Sequence, residues 1–343
     1  FMTNKDVNER FELIKRNTQE IVKEEELKKL LKENKNPVVY WGTSVTGKPS
    51  IAYFFPLLKL SDFSKSGFIV KVLLADLHGA MDGTPWEVLE NRYEFYKEAI
   101  TQILKALNTD LNKIEFVKGS EFQLKPEYMY DVLQLASKNS VRDCQKAGAE
   151  VIKKSQNPDV AGLIYPIMQA LDEHYLDVNV QFGGIDQRKI LMFARENLPK
   201  IGYERRIDVF NPMIPGLVGK KMSSSDSKTK IDLLDNEETV KKKVNKADFI
   251  EGESDNGIMA FLKYVIMVIK KDKGEKLLIQ RPEKFGGNKE FKDFQEIKKQ
   301  VEHKQLHPMD VKISVAKEIT NLLKKIDTKK LEKLSEKAYK EKE

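Results

Sequence analysis

The sequence predicts an α/β fold with a parallel sheet, followed by an all-α C-terminal domain. The apolar runs 38–41 and 68–75 are nearly continuous, which is typical of parallel strands that helices cover on both faces. Helical patterns alternate with such runs until about residue 232, and from Asp235 onward we find only helical periodicity. A chain of 343 residues is long for a single core, so two domains are the natural expectation.

The elements follow one another in three segments. Residues 1–35 form an amphipathic N-terminal helical region, residues 36–232 the α/β domain, and residues 233–343 the helical domain. The predicted strands are 38–41, 68–75, 114–117, 178–182 and 207–210, with helices after Pro49, from Pro85 to about Leu107, near Tyr165 and after Gly184.

Two stretches depart from this rhythm. A mostly helical stretch at 126–154 interrupts the α/β alternation and is a candidate subunit contact, with apolar residues that include Tyr130, Leu133 and Leu135. The last stretch, 329–343, is rich in lysine and glutamate and is predicted to be a solvated or frayed helix.

Composition excludes several classes of protein. A composition of 40% apolar and 33% charged residues is typical of a soluble globular protein. It has no run of about 18 apolar residues, so we expect no membrane span and no membrane partner. Cys144 is the single cysteine, which excludes intrachain disulfides and a cysteine-rich zinc site and suits a cytoplasmic location. The net charge of +7 permits a polyanionic partner, but lysine and glutamate are mixed throughout.

A turn of small residues follows the first predicted strand of the sheet. Its two glycines allow close backbone approach, its hydroxyls can donate hydrogen bonds, and Pro49 suits the first position of the next helix. Unpaired amides and the helix dipole at such a place attract anions. An ordinary strand-to-helix connection without a ligand remains open for this stretch alone. The turn is Gly42-Thr43-Ser44-Val45-Thr46-Gly47.

A second phosphate-binding candidate lies in the loop 211–230, which is rich in proline, glycine, serine and lysine. Its two lysines and three hydroxyls can close over a polyphosphate and neutralise charge that develops in a transition state. Alone, such a stretch is typical of a solvated basic loop, but together with the turn at 42–47 it indicates a nucleotide site. The stretch is Gly219-Lys220-Lys221-Met222-Ser223-Ser224-Ser225.

One predicted helix carries polar side chains where a core-facing helix would be apolar. Tyr165, Gln169 and Asp172 are spaced i, i+4, i+7, which places them on a single helix face. This face predicts a polar pocket. His78 is equally well explained by packing or by contact with a substrate.

Taken together, these elements resemble class I aminoacyl-tRNA synthetases. Ser50-Ile51-Ala52-Tyr53 stands in place of the HIGH tetrapeptide, and the run 221–225 in place of KMSKS. Other segments, in the right order from about residue 10 to about 325, narrow the resemblance to tyrosyl-tRNA synthetases of the archaeal and eukaryotic cytosolic type. They are Tyr40-Trp41-Gly42-Thr43, Ala75-Asp76-Leu77-His78, Tyr165-Pro166, Gln169-Ala170-Leu171-Asp172 and Gln181-Phe182-Gly183-Gly184-Ile185-Asp186-Gln187-Arg188-Lys189.

The resemblance implies a fold, an assembly and a reaction. The family has a Rossmann-type catalytic domain with an inserted dimerisation segment, here about 115–155, and a helical anticodon-binding domain, here 233–343. It forms homodimers. It activates L-tyrosine with ATP to tyrosyl-adenylate and transfers the tyrosyl group to the 3′-terminal adenosine of tRNA(Tyr). Mg²⁺ accompanies the ATP, with no dedicated metal site in the protein.

The resemblance also implies roles for individual residues. Tyr165, Gln169 and Gln187 would hold the ammonium group of tyrosine, Tyr40 and Asp172 its phenol hydroxyl, and Leu73 would line the ring pocket. Asp186 would bind the adenylate ribose, Gly184 would keep the approach open, and Gly42 and Thr43 would lie against the nucleotide. The remaining nucleotide-binding and catalytic candidates around the phosphates are Thr46, Ser50, Tyr53, Lys221, Met222, Ser223 and Ser224.

Two positions depart from the general class I pattern. Ser50 and Tyr53 stand where the two histidines of the HIGH tetrapeptide are expected, and serine can donate a hydrogen bond to phosphate but adds no charge. Ser224 occupies the fourth position of the lysine motif, as is usual in this branch of the family.

Five residues are candidates for tRNA contacts by the same resemblance. Arg188 and Lys189 would point toward the acceptor end, where Arg188 would read the first base pair; a phosphate contact or a solvated pair is the alternative. Phe285 would stack on the first anticodon base, with His307 and Asp310 at its edge. Alternatively, Phe285 packs in a core and Asp310 only stabilises a helix start.

Three other functions compete with this interpretation. Tryptophanyl-tRNA synthetase shares the fold and the reaction, but Asp172 argues against it, because a buried carboxylate facing a ring needs a hydroxyl partner. A non-catalytic RNA-binding derivative of a synthetase would not need an intact pocket. A small-molecule nucleotidyltransferase would not need the helical domain.

Overall fold

The computed structural model describes residues 4–151, 159–217 and 230–339. The strands of its main sheet are β1 (Glu20–Val22), β2 (Val38–Ser44), β3 (Ile69–Ala75), β4 (Ile114–Lys118), β5 (Val180–Gly184) and β6 (Ile207–Asn211). Within the described ranges they are ordered β1-β6-β5-β2-β3-β4. All neighbours are parallel except the edge strand β1, which runs antiparallel to β6. The predicted α/β fold with a parallel sheet is confirmed.

Alternate side chains of the strands enter two separate cores. Val39 and Trp41 of β2 pack into one hydrophobic cluster, whereas Tyr40 between them packs into the other. Because successive side chains of a strand point to opposite faces, the sheet is buried on both sides. The continuous apolar runs had predicted this arrangement. The helices α3 (Phe54–Lys65) and α5 (Leu89–Ala106) complete the first core, and α9 (Ala161–Tyr175) and α10 (Arg188–Asn197) complete the second.

The N-terminal segment contains a strand that the sequence did not indicate. Helices α1 (Asn4–Lys15) and α2 (Glu24–Glu33) flank β1, in which Glu20 pairs with Phe210 of β6. The prediction of a purely helical region missed it, because three residues are too few to show the alternation of a strand.

Helices interrupt the α/β alternation between β4 and β5, as predicted. On the second of them, Tyr130 and Leu133 are 64% and 67% exposed, whereas Leu135 is fully buried in the core that also contains α9 residues. Leu135 was therefore wrongly grouped with the contact residues, because it lies on the inner face of the same helix. The helices are α6 (Gly119–Gln123), α7 (Pro126–Ser137) and α8 (Val141–Gly148), and the short α4 (Asp76–Met81) follows β3.

The chain after β6 is mainly helical. A two-stranded antiparallel hairpin of β7 (Leu277–Ile279) and β8 (Lys289–Phe291) adds to the helices, and its strands are again too short to be read from the sequence. No helix in the described ranges has both the length and the apolar character that a bilayer crossing requires. The helices are α11 (Glu237–Lys246), α12 (Gly257–Phe261), a π-helical turn (Leu262–Ile266), α13 (Met267–Asp272), α14 (Phe294–Glu302), α15 (Pro308–Leu323) and α16 (Thr328–Ala338).

Helix α16 packs against α5, so the prediction of a solvated C-terminal helix was wrong as far as residue 339. Leu331 and Ala338 are fully buried. Arg92 of α5 donates a hydrogen bond from Nε to the Ala338 carbonyl at 2.5 Å, and its guanidinium lies 3.6 Å from the centre of the Tyr339 ring. The prediction gave more weight to the abundant lysine and glutamate than to Leu331 and Ala338, which are spaced i and i+7 and so lie on one narrow apolar face of the helix.

Candidate active site

A cavity of about 300 Å³ opens at the carboxyl ends of the parallel strands. It lies between β2 and β5, where the strand order reverses, and open α/β sheets bind ligands at this switch point. It is lined by all the residues within the described ranges that were predicted to bind tyrosine or the nucleotide, except the catalytic candidates around the phosphates. These residues are Tyr40, Gly42, Thr43, Leu73, Tyr165, Gln169, Asp172, Gly184, Asp186 and Gln187.

Asp172 is held firmly in the wall of this cavity. Its Oδ1 accepts one hydrogen bond from Gln123 Nε2 and another from the Tyr128 hydroxyl, each at 2.8 Å. Burial raises the pKa of Asp172 to about 7, and the two donors act in the opposite direction. Since both donors use one oxygen, Oδ2 keeps its capacity to accept a hydrogen bond from a ligand.

Tyr40 is backed by a chain of polar groups across the sheet. Its hydroxyl donates to Gln181 Oε1 at 3.4 Å, and Gln181 Nε2 donates to Asp208 Oδ1 at 2.7 Å. Asp208 also pairs with Arg195 at 3.4 Å. Burial raises the pKa of Tyr40 well above its usual value, so the phenol stays protonated. The contact with Gln181 is long, so the hydroxyl can turn to donate to a ligand.

The polar face of α9 continues toward a 3₁₀ turn after β5. Gln169 Nε2 donates to Gln187 Oε1 at 3.0 Å, which leaves the Gln169 carbonyl oxygen available for an ammonium group. The His78 ring meets Tyr165 edge-on, with ring centres 4.5 Å apart. Burial lowers the pKa of His78 to about 4, so it is neutral near pH 7. His78 thus packs against Tyr165 and also lines the cavity.

Small residues open the other end of the cavity. A Cβ atom at Gly184 would lie 2.4 Å from Asp186 Oδ1, so any larger residue there would displace that carboxylate. Thr43 lines the cavity, and its Oγ1 lies 3.0 Å from the Tyr53 hydroxyl behind it. Among the described residues, no group of three or more His, Cys, Asp or Glu side chains could hold a metal ion.

The remaining phosphate-side candidates within the described ranges lie behind the cavity wall. Ser50 is buried; it caps the 3₁₀ turn Ile51–Tyr53, and its Oγ accepts a hydrogen bond from the Ala52 amide at 3.4 Å. The Thr46 carbonyl accepts a hydrogen bond from Arg92. The helix therefore begins after Ser50 and not at Pro49, and the serine hydroxyl faces its own helix start.

The lysine motif lies outside the described residues, and with it the candidates Lys221, Met222, Ser223 and Ser224. The described chain on either side has defined contacts. The Leu217 carbonyl accepts a hydrogen bond from the Asp248 amide at 2.9 Å, and the Ile231 carbonyl accepts one from the Ile51 amide at 3.0 Å. The second contact brings the returning chain beside the 3₁₀ turn Ile51–Tyr53.

The two basic candidates at the rim are paired with acidic side chains. Arg188 makes a bidentate pair with Glu20, at 2.7 and 2.9 Å, and Lys189 pairs with Glu150 at 2.6 Å. Exposed pairs of this kind contribute little to stability, so a phosphate or a base can replace the acidic partner at small cost.

An ion pair connects the segments that carry the three anticodon candidates. Phe285 is 56% exposed, so the alternative that it packs in a core is wrong. Asp310 pairs with Arg281 Nε at 3.0 Å, which joins the loop that carries Phe285 to the start of α15. His307 caps α15, since its Nδ1 accepts a hydrogen bond from the Met309 amide at 3.2 Å.

Sequence reasoning missed four residues of the site. Gln123 and Tyr128 come from the helical interruption and carry no local signal, because only the folded chain brings them to Asp172. Gln181 and Asn211 do carry one, as polar residues in or at the end of apolar strands. Asn211 lines the cavity from β6.

Comparison with known proteins identifies the family. The family description "tRNA synthetases class I (W and Y)" matches residues 31–324. Tyrosine--tRNA ligase, cytoplasmic, of Danio rerio is 46% identical over 97% of this chain and 64% of its own length. The Saccharomyces cerevisiae enzyme of the same name is 45% identical over 97% of this chain and 88% of its own length.

A solved structure agrees with these relatives. Tyrosyl-tRNA synthetase of Archaeoglobus fulgidus, complexed with L-tyrosine, has a TM-score of 0.86 and 36% identity over 95% of this chain and 99% of that one. A tryptophanyl-tRNA synthetase of Plasmodium falciparum, at 15% identity, shares the fold. The chain spans less than two thirds of the length of the vertebrate relatives, 62–64%. It belongs to the class I tRNA synthetases for tryptophan and tyrosine, in the group of archaeal and eukaryotic tyrosine--tRNA ligases.

Proposed function

We propose that this chain activates L-tyrosine with ATP and transfers the tyrosyl group to tRNA(Tyr). In the first step a carboxylate oxygen of tyrosine attacks the α-phosphorus in line, and pyrophosphate leaves with the electrons of the broken P–O bond. In the second step a hydroxyl of the 3′-terminal ribose attacks the carbonyl carbon, and AMP leaves.

One observation carries the choice of tyrosine. Asp172 lies in the wall of the cavity, with one oxygen bound by Gln123 and Tyr128 and the other available. A phenol hydroxyl satisfies the second oxygen. Phenylalanine and tryptophan have no donor for it there, so binding them would bury an acceptor without a partner.

The first step needs no side-chain base, because the tyrosine carboxylate is already a nucleophile. Its rate depends on positioning and on stabilising the charge that develops on phosphate. Gly42, Thr43 and Asp186 lie where the nucleotide would bind. Lys221 would neutralise charge on the phosphates together with Mg²⁺ brought by ATP, Ser223 and Ser224 would donate hydrogen bonds to them, and Met222 would lie against the nucleotide. Thr46, Ser50 and Tyr53 would shape the turn that faces them.

Transfer needs tRNA at two places. Arg188 and Lys189 would exchange Glu20 and Glu150 for the acceptor stem, with Arg188 at the first base pair. In the helical segment, proposed as the anticodon-binding domain 233–343, Phe285 would stack on the first anticodon base. His307 and Asp310 would bind its edge, and Asp310 would share that role with its partner Arg281.

The assembly is proposed to be a homodimer in the cytoplasm. Its two-fold contact would lie on the insertion at about 115–155, where Tyr130 and Leu133 expose large apolar surfaces on one helix. The names of the curated relatives include the word cytoplasmic, which supports the location.

Amino-acid-dependent exchange of pyrophosphate into ATP tests the proposal. We expect exchange with tyrosine and very little with phenylalanine or tryptophan. Tyrosyl-tRNA synthetases are themselves the standard example of such selection, about 10⁵ against phenylalanine, so this size is borrowed from the family. Similar exchange with tyrosine and phenylalanine would refute the role of Asp172. No exchange, with retained binding of tRNA, would favour a non-catalytic RNA-binding protein.

A further inference from the structure

Asn211 is the last residue of β6 and has a buried amide without a partner. Its side chain is 3% exposed and lines the cavity. Neither its Nδ2 nor its Oδ1 makes a hydrogen bond within the described part of the chain. Buried amides are almost always hydrogen-bonded, so a pair of unused polar atoms facing a cavity indicates a ligand.

The other buried amides of this part of the fold use their donors within the protein. Gln181 donates to Asp208, and Gln123 donates to Asp172, although Gln123 Oε1 has no partner; Asn211 leaves both its donor and its acceptor unused. Asn197 is as buried as Asn211, but its Nδ2 donates to the Phe193 carbonyl at 2.8 Å, and its Oδ1 accepts from Lys200 at 2.6 Å. The open bonding capacity of Asn211 is therefore a property of its position and not of buried amides in general.

Strand order places Asn211 far from the phenol end. Leu73 and Tyr40 lie on β3 and β2, whereas β6 lies beyond β5 on the opposite side of the switch point. With neighbouring strands about 4.8 Å apart, Asn211 is roughly 10–14 Å from those strands. Its direct neighbour in the sheet is Gly184, which precedes Asp186. Asn211 thus adjoins the part of the cavity proposed for ribose and base.

The chemistry of an amide narrows the choice of ligand atoms. An amide presents a donor and an acceptor side by side, whereas phosphate offers only acceptors and an ammonium group only donors. Adenine offers an amino donor beside a ring-nitrogen acceptor, and asparagine pairs with this edge in known adenine recognition. We propose that Asn211 binds the amino edge of the adenine of ATP and so selects the base. This proposal rests on the proposed use of ATP.

A double comparison of protein and nucleotide tests the proposal. The KM for ATP and for purine riboside triphosphate, which lacks the amino group, is measured in tyrosine-dependent pyrophosphate exchange. In the wild type we expect the purine analogue to have a KM about tenfold higher than ATP. In Asn211→Ala we expect the KM for ATP to rise about tenfold and the two nucleotides to become nearly equal. Asn197→Ala, the matched buried amide, should keep the preference for ATP.

Several results would overturn the proposal. The proposal is wrong if Asn211→Ala prefers ATP over the purine analogue as strongly as the wild type does. It is also wrong if the variant instead loses a wild-type preference for ATP over 2′-deoxy-ATP, because that result would place Asn211 at the ribose. Titration with tyrosine should give an unchanged Kd in Asn211→Ala, and this result shows that the variant is folded. Should Asn211→Ala fail to fold, Asn211→Asp replaces it, because the carboxylate keeps the volume and removes the donor. Exchange by the wild type tests the proposed function separately, since it does not depend on Asn211.

Discussion

The two ends of the active-site cavity are built differently. At the phenol end, Asp172 is fixed by Gln123 and Tyr128, and Tyr40 is backed by Gln181 and Asp208. The protein itself supplies partners for Asp172 Oδ1 and for both polar atoms of the Gln181 amide, and Asp172 Oδ2 retains bonding capacity toward the phenol. This end is ordered in advance for one functional group.

At the nucleotide end, the protein leaves more to the ligand. Both polar atoms of Asn211 are unpaired within the described residues, and small residues at Gly42 and Gly184 leave the backbone accessible. For the proposed function, the difference teaches that selection of the amino acid would be set by the fold, whereas the site for ATP would be completed when ATP binds. Substitutions at the two ends should therefore affect different kinetic constants.

Asp172→Asn should have the largest effect. Gln123 and Tyr128 would hold the single oxygen of the amide, so Nδ2 would take the place of Oδ2 and present a donor where the phenol hydroxyl needs an acceptor. Loss of a hydrogen bond to a charged group costs about 1.5–3 kcal/mol, and an unpaired buried partner adds about 1–3 kcal/mol. We expect kcat/KM for tyrosine to fall by about 10³-fold while the KM for ATP changes little, measured by pyrophosphate exchange. A parallel rise in the KM for ATP would contradict the separation of the two ends.

The same variant should be more stable than the wild type. Because burial raises the pKa of Asp172 from 3.8 to about 7, the native state holds a proton that the unfolded state has lost between these pH values. Stability therefore falls as the pH rises from about 4 to 7 and stays lower above 7. Asparagine does not ionise, so Asp172→Asn should gain up to about 4 kcal/mol at pH 8 and nothing near pH 4. Denaturant unfolding at both pH values checks this.

Tyr128→Phe should have an intermediate effect that is confined to tyrosine. The hydroxyl shares its one proton between Asp172 Oδ1, at 2.8 Å, and the Met168 carbonyl, at 2.7 Å. Its loss frees the carboxylate to move and costs about 0.5–1.5 kcal/mol. We expect a rise of about three- to tenfold in the KM for tyrosine and none in the KM for ATP. Tyr175→Phe is the matched control, because its hydroxyl donates to Asp131 at 2.7 Å and not to Asp172. Equal effects of the two variants would mean that the Tyr128 hydroxyl only supports the fold.

The sequence predicts one end of the cavity better than the other. Residues on α9 could be placed together because helical spacing is regular, and Tyr165, Gln169 and Asp172 do line one cavity. The parallel sheet could be predicted because its strands are continuous apolar runs. The functional roles of Tyr165, Gln169 and Asp172 remain predictions. Gln123 and Tyr128 could not be found, because they reach Asp172 from 49 and 44 residues away in the chain.

Other features were hidden for different reasons. The strands β1, β7 and β8 have three residues each, too few for a periodic pattern. Helix α16 was taken for a solvated tail because charged residues outnumber the apolar ones that pack on α5. Arg281 was not expected beside Asp310, since the two lie in segments that only the tertiary fold joins.

The smallest expected effect is a dependence of tyrosine affinity on pH. The free site holds Asp172 with a pKa of about 7, and a hydrogen bond from the phenol favours the ionised carboxylate. Binding tyrosine therefore releases a proton, and the affinity should fall as the pH drops through 7. From the ionised fractions, the Kd for tyrosine should rise about fourfold between pH 8 and pH 6.5.

The Asp172→Asn variant assigns this effect among the neighbouring titratable groups. Burial lowers the pKa of His78 to about 4 and raises those of Tyr40 and Tyr128 well above 10, so none of them titrates between pH 6.5 and 8. Burial also raises the pKa of Asp208, behind Gln181, to about 6, so its titration centres below this window. Burial raises the pKa of Glu173 well above its usual value as well, and Asp172→Asn separates a titration of Glu173 from that of Asp172. Tyrosine titrations of Asp172→Asn should be flat over the same range, and so should the KM for ATP in the wild type. A wild-type Kd that does not change from pH 8 to 6.5 would mean that Asp172 is already ionised in the free site, and that the hydrogen bonds from Gln123 and Tyr128 outweigh its burial.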